Sequence, residues 1–180
     1  LSLDRAPLLV TFHPVTLDYE RTEWHIAELL SALDNIDMPI VFSLPNSDTG
    51  GRVIISEIKD FVSSHSSAQM VDNLGTQGYF SLMSLAAAMV GNSSSGIIEA
   101  PSFNLPVVNI GARQEGRIRA ENVIDVGYES EAIVKGIKWA IQPEFRQKLK
   151  GLHNPYGTGN ASEKIVKRIK EVELDEKMII

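Results

Sequence analysis

Cysteine is absent from the 180 residues, which excludes a disulfide framework and thiolate metal sites and fits the cytosol. No apolar run reaches transmembrane length, and the first residues lack the charged-then-apolar pattern of a signal peptide, so no membrane partner is expected. Positive charge is in deficit, with 17 Lys and Arg against 23 Asp and Glu and a formal net charge of -6. That balance excludes broad attraction to nucleic acid or acidic membranes, so any bound phosphate must be held by local geometry. There is no HxxH, HExxH or carboxylate cluster with metal-ligand spacing, hence no metal is expected, and neither a P-loop nor a G-x-S-x-G elbow occurs. Internal repeats and low-complexity segments are missing too. The first residue is Leu1 rather than methionine, and Leu3 to Pro7 run directly into a strand, so residues 1–7 read as an interdomain linker remnant and the chain as a fragment.

What is present is an ordinary globular composition, 43% apolar and 22% charged, in a chain long enough for one domain with a substantial core. Apolar runs at Leu8 to Phe12, Pro39 to Leu44, Gln69 to Asp72, Ala86 to Val90, Leu105 to Ile110 and Val123 to Val126 read as buried strands. Between them, apolar residues recur at helical spacing: Ile26, Leu29, Leu30 and Leu33, then Ile54, Ile55, Ile58, Phe61 and Val62, then Phe80 to Ala87. Further helices are expected from Ser95 to about Phe103, Ser130 to Ile141 and Glu144 to Leu149, with a closing helix carrying Ile165, Val166 and Ile169 on one side. Strands alternating with helices predict an α/β fold, a Rossmann-like parallel sheet flanked by helices and spanning residues 8–174, with a frayed tail at 175–180.

Right-handed crossovers place every strand-to-helix loop on the carboxyl edge of such a sheet, where open α/β sheets bind ligands. His13, Asn46, Asn73, Asn92 to Ser95 and Arg113 each follow a predicted strand and so gather there. The most informative stretch is Gly91 to Glu99, a buried strand ending in Asn92-Ser93-Ser94-Ser95-Gly96 that opens a helix with an acid one turn in. Free N–H groups at that helix start suit an anion, and Glu99 stands where it can accept hydrogen bonds from a sugar hydroxyl, which together point to a nucleoside diphosphate. The same residues also describe a plain capped helix start. His13, held extended by Pro14, offers a phosphate donor or a proton shuttle near neutral pH, or else a structural histidine. His25 in a helix and His65 in a serine-rich linker are expected to be solvated, and His153 to sit in a turn. Arg113, Arg117 and Arg119 share a glycine-bearing loop that can bring a guanidinium onto phosphate; their alternative partners are Glu115 and Glu121. Asn154 to Gly159 is either a loop against the ligand or a tight connection.

Taken together, Phe12-His13-Pro14-Val15-Thr16, Pro45-Asn46-Ser47-Asp48, Gly91 to Gly96, Gly111 to Arg117, Glu121-Asn122-Val123 and Asn154 to Ala161 resemble the carboxyl-terminal half of UDP-N-acetylglucosamine 2-epimerases. The F-H-P-V-T start and the G-N-S-S loop are similar to the hydrolysing branch that serves sialic and related nonulosonic acid synthesis. The resemblance covers about Leu8 to Leu174. It implies the carboxyl-terminal domain of a two-domain glycosyltransferase-B-type enzyme, cytoplasmic, without cofactor, homo-oligomeric at full length, and dependent on an amino-terminal domain for acid and base carboxylates. Its partners would be a UDP-sugar substrate and UDP product. Carried onto this sequence, Ser93 and Ser94 meet the diphosphate within the loop that includes Ser95 and Gly96. Glu99 takes the ribose hydroxyls, His13 the region between phosphate and sugar, Arg117 the phosphates beside Arg113, and Asn46 the cleft edge. The backbone around Asn73 and Leu74 covers the uracil. A non-hydrolysing epimerase, a glycosyltransferase domain, and a stand-alone nucleotide-sugar sensor are the alternatives.

Overall fold

In a computed structural model that describes residues 5–46 and 48–172, the chain builds one six-stranded parallel sheet in the order β3-β2-β1-β4-β5-β6. Strands β1 (Leu8–Thr11), β2 (Ile40–Ser43), β3 (Ala68–Val71), β4 (Ala88–Gly91), β5 (Val107–Ile110) and β6 (Val123–Val126) fall on the expected runs, with β1, β2 and β5 trimmed, β3 shifted one residue earlier, β4 starting later and reaching Gly91, and β6 unchanged. Helices are α1 (Thr22–Asp34), α2 (Gly51–Ser64), α3 (Gly75–Leu85), α4 (Ser95–Ile98), α5 (Ser130–Ala140), α6 (Pro143–Lys148) and α7 (Ala161–Glu171). The tail expected at 175–180 and the first residues of the expected linker lie outside the described residues.

Side-chain alternation assigns the two layers. Leu8, Val10, Phe12, Ile40, Phe42, Val90, Val108 and Ile110 pack with Ile26, Leu29 and Leu33 of α1, Ile54, Ile58 and Phe61 of α2, and Ile133 and Ile137 of α5. Leu9, Val41, Met89 and Val107 point the other way, onto Leu82 and Met83 of α3 and onto Ala100 and Leu105. Burial on both faces explains why the strands read as continuous apolar runs rather than alternating ones. Gly136 lets α5 lie close to the sheet, since a Cβ there would come 3.0 Å from Val108 and Val126 methyl carbons.

Three departures from the sequence reading have local causes. Helix α3 starts at Gly75, ahead of the expected run from Phe80: the Asn73 side-chain oxygen accepts the Gly75 N–H at 2.7 Å at its entry. The helix expected from Ser95 to Phe103 is broken into α4 and a 3-10 turn at Ala100–Phe103, because Pro101 has no N–H to continue the α ladder. Thr16–Arg21 forms a 3-10 segment that leads into α1.

The strand order reverses between β1 and β4, which extend side by side from a common register of Leu8 with Ala88 to Thr11 with Gly91. Their carboxyl ends therefore open the crevice in which doubly wound sheets hold ligands. At that crevice the two chains touch: Gly91 has φ +136, and a Cβ on it would lie 2.0 Å from the Thr11 carbonyl oxygen. Gly91→Ala is expected to destabilise the domain by about 3 kcal/mol or more, against about 1 kcal/mol for Gly75→Ala, where φ is positive but the space is open. Urea unfolding of both variants measures the contrast, and equal losses would contradict the close approach.

Candidate functional site

The centre of the site is Asn92, fully buried just past β4. Its amide brackets the backbone of His13: Oδ1 accepts the His13 N–H at 2.7 Å, and Nδ2 donates to the His13 carbonyl at 2.8 Å. The Asn92 carbonyl in turn accepts Gln114 Nε2 at 2.8 Å and Arg113 Nη1 at 3.3 Å. Loops after β1, β4 and β5 are thereby tied at one residue.

His13 turns its ring toward the loop after β2, where Nδ1 accepts the Asn46 backbone N–H at 3.0 Å. A nitrogen that accepts cannot carry the proton, so the neutral ring bears its hydrogen on Nε2. Burial, then the neighbouring Arg113 charge, lowers the His13 pKa to about 4, against the pull of Asp48. At neutral pH this ring is thus uncharged, with Nε2–H as its one donor. Asp48 also lies 3.9 Å from Arg113 Nη2.

Beside this cluster a cleft of about 730 Å³ is lined by Ser43, Leu44, Val71 to Thr76, Tyr79, Phe80, Ser94, Ser95 and Glu99. Its floor carries a chain of hydroxyls: Ser43 to Thr11 at 2.6 Å, Thr11 to Tyr79 at 3.2 Å, Tyr79 to Ser95 at 2.8 Å, and Ser95 to Ser93 at 2.9 Å. Ser94 makes no side-chain cap bond to α4, whereas Ser93 Oγ accepts the Ser95 N–H at 3.4 Å. Among the described residues the N–H groups of Ser93 and Ser94 have no partner, whereas those of Gly96 and Ile97 are taken by the carbonyls of Ser93 and Ser94. With four residues, α4 adds little macrodipole; an anion here would be held by these N–H groups and hydroxyls individually. Glu99 is partly buried, and burial raises its carboxyl pKa above the ordinary value.

Of the predicted site residues, Asn73, Leu74, Ser94, Ser95 and Glu99 line the cleft. Ser93 joins it through Ser95, and His13, Asn46 and Arg113 form the adjoining cluster. Gly96 is buried under the turn, where a Cβ would meet Val107 Cγ1 at 2.8 Å, so its structural work is packing. Arg117 is exposed, and among the described residues its guanidinium has no hydrogen bond or ion pair with the serine loop. Arg119 pairs with Asp125 at 2.9 Å and Arg113 with Asp48, not with Glu115 or Glu121.

Asn154 donates to the Ile98 carbonyl at 2.9 Å and to Ser102 Oγ at 2.7 Å, which fastens the turn that follows α6 to the serine-loop segment. His25, expected in solvent, is buried, with its ring stacked on Tyr128 at 3.8 Å. Asp18 Oδ2 stands 3.2 Å from its Nε2 without hydrogen-bond geometry, and burial lowers the His25 pKa. His65 is partly exposed, stacked on Phe61 and joined to Asp34 at 2.9 Å, which raises its pKa. Sequence reasoning missed Tyr79, Thr11, Ser43 and Gln114, and placed Asn92 in the loop without its clamp.

Compared with known proteins, residues 2–170 match the family model described as UDP-N-acetylglucosamine 2-epimerase. The chain belongs to the UDP-N-acetylglucosamine 2-epimerase family. Among relatives in this family, it is 40% identical over 178 residues to the GDP/UDP-N,N'-diacetylbacillosamine 2-epimerase (hydrolyzing) of Campylobacter jejuni, covering 97% of this chain and 46% of the relative. It is 34% identical over 176 residues to the UDP-N,N'-diacetylbacillosamine 2-epimerase (hydrolyzing) of Legionella pneumophila, covering 98% and 45%. The chain spans about half the length of the curated relatives it matches. The S. aureus MnaA-UDP co-structure shares its fold with a TM-score of 0.73 at 23% identity, covering 93% of this chain and 45% of that one. The UDP-GlcNAc 2-epimerase from Neisseria meningitidis bound to UDP-GlcNAc aligns with a TM-score of 0.63 at 24% identity, covering 94% and 45%. Among the described residues no helix is long and apolar enough to cross a membrane.

A depressed histidine pKa carries a definite pH signature. Between the ordinary value of 6.5 and about 4 the unfolded chain binds a proton at residue 13 that the folded one refuses, so stability is lost as pH falls through that window. The stability difference between wild type and His13→Gln is therefore expected to shrink or reverse from about pH 7.5 to about pH 4.5. Denaturant titrations at both pH values check this, and a pH-independent difference would contradict it.

Proposed function

We propose that this chain is the nucleotide-binding half of a hydrolysing UDP-sugar 2-epimerase, which converts UDP-N-acetylglucosamine and water to N-acetylmannosamine and UDP. The observation that carries the reading is that the Ser93 and Ser94 N–H groups, without a partner among the described residues, and the linked Ser93 and Ser95 hydroxyls stand at the cleft that the half-buried Glu99 also lines. Membership of the family and the hydrolysing names of the 40% and 34% relatives support it.

In this reading the diphosphate lies over Ser93 and Ser94, with Ser95 and the packed Gly96 shaping the turn. Glu99 accepts the ribose hydroxyls, and the backbone at Asn73 and Leu74 faces the base. The C1–O bond to the diphosphate breaks as the C2 proton is removed, which gives a 2-acetamidoglucal and UDP. Water then adds its oxygen to C1, and a proton returns to C2 from the opposite face. Negative charge grows on the departing diphosphate, so the serine N–H groups, the His13 Nε2–H and the Arg113 guanidinium favour the transition state over the ground state. Arg117 reaches the phosphates only if its loop moves inward on binding. The acid and base carboxylates come from an amino-terminal half, the full-length enzyme is a cytoplasmic homo-oligomer, and its product serves sialic or related nonulosonic acid synthesis.

A second reading of the sugar has its own support: the C. jejuni and L. pneumophila relatives carry N,N'-diacetylbacillosamine in their names, which favours a 2,4-diacetamido sugar as substrate. Calorimetry on this chain is expected to show UDP binding that Glu99→Ala weakens about tenfold, while 2',3'-dideoxy-UDP binds equally weakly to wild type and variant. Equal affinity of the two ligands for wild type would remove the ribose contact, and no binding of UDP at all would overturn the nucleotide reading.

A further inference from the structure

The β1 ladder ends at Thr11, whose carbonyl accepts the Asn92 N–H at 3.2 Å. Beyond that point Pro14 cannot donate, and the β4 chain turns away into the serine loop, so the backbone of His13 has no strand partner. The Asn92 side chain replaces one: it offers an acceptor and a donor in the spacing of a peptide group and takes both polar groups of His13. Aspartate could not, because its ionised carboxylate has no donor for the His13 carbonyl. Asn92 itself has no exposed surface and cannot touch a ligand in the cleft.

Resting on the nucleotide reading above, we propose that Asn92 is a positioning residue, which makes His13 a fixed Nε2–H donor and holds Arg113 beside it. Two routes lead from it. Through the His13 backbone it sets the ring against the Asn46 N–H, which fixes the tautomer. The second route runs through the Asn92 backbone carbonyl, which any residue here would keep but which the clamp holds in place, and which gathers Arg113 and Gln114. Burial and the Arg113 charge keep the ring neutral, in agreement with this arrangement. Loss of the clamp therefore costs nucleotide affinity through residues other than the one changed.

The test compares wild type with Asn92→Asp and Asn92→Ala in the whole chain. The His13 ring nitrogens are read by NMR and assigned with His13→Gln; UDP affinity is read by calorimetry. Wild type is expected to show protonated Nε2 and bare Nδ1 at neutral pH. Asn92→Asp is expected to average the two tautomers and weaken UDP binding about tenfold or more, with the His65 signals unmoved. In a His13→Gln background the same change should cost clearly less than in wild type, as for residues that act through one another. Should Asn92→Ala fail to fold, the near-isosteric Asn92→Asp decides alone. A single His13 tautomer retained in Asn92→Asp, or a loss of affinity fully additive with His13→Gln, would overturn the proposal. Failure of wild type to bind UDP would instead strike the nucleotide reading, and the ring-nitrogen result would still judge the clamp.

Discussion

The fold and the site depend on how closely β4 and β1 approach where they leave the sheet. Gly91 passes against the Thr11 carbonyl with no room for a side chain, and the next residue, Asn92, grips His13 through both polar groups of its backbone. Every other element of the site is referred to that junction. The Arg113 loop hangs from the Asn92 carbonyl, the His13 ring reaches across to Asn46, and the serine turn starts one residue further on. The buried Asn92 amide, with both of its bonds made to the His13 backbone, is costly to disturb, because each lost bond leaves a polar group without water to replace its partner.

The cleft beside the junction combines donors with little fixed charge. A net charge of -6 discourages anions at long range, so a phosphate would have to be held by local donors of the kind that Arg113 and the serine loop offer. The hydroxyl chain from Ser43 through Thr11, Tyr79 and Ser95 to Ser93 suits that task. Each hydroxyl can turn its hydrogen one way or the other, so the last members can present donors to a ligand while remaining bonded behind. Tyr79 thus links the first core strand to the serine turn, and α3 contributes to the site from beneath as well as from its own N-terminal loop.

Much of this was legible in the sequence. Buried parallel strands announce themselves as short apolar runs, and α1, α2 and α5 by their stripes, because both signals come from burial alone. The carboxyl-edge clustering of His13, Asn46, Asn73, Ser93 to Ser95 and Arg113 followed from topology. What could not be read depends on contacts between distant segments. His25 sits next to the α1 stripe and looks solvent-facing until Tyr128, from the loop after β6, stacks on it. The Asn92 clamp exists only because two strand ends meet. The break after α4 is written in the sequence at Pro101, which has no N–H for the α ladder. Arg117, two turns of loop beyond Arg113, shares its composition and not its place.

The account stands most directly on where a nucleotide lies. A crystal structure of this chain soaked with UDP is expected to show the two phosphates on the Ser93 and Ser94 N–H groups and the ribose hydroxyls on the Glu99 carboxylate. Phosphates bound elsewhere, or a ribose out of reach of Glu99, would contradict it.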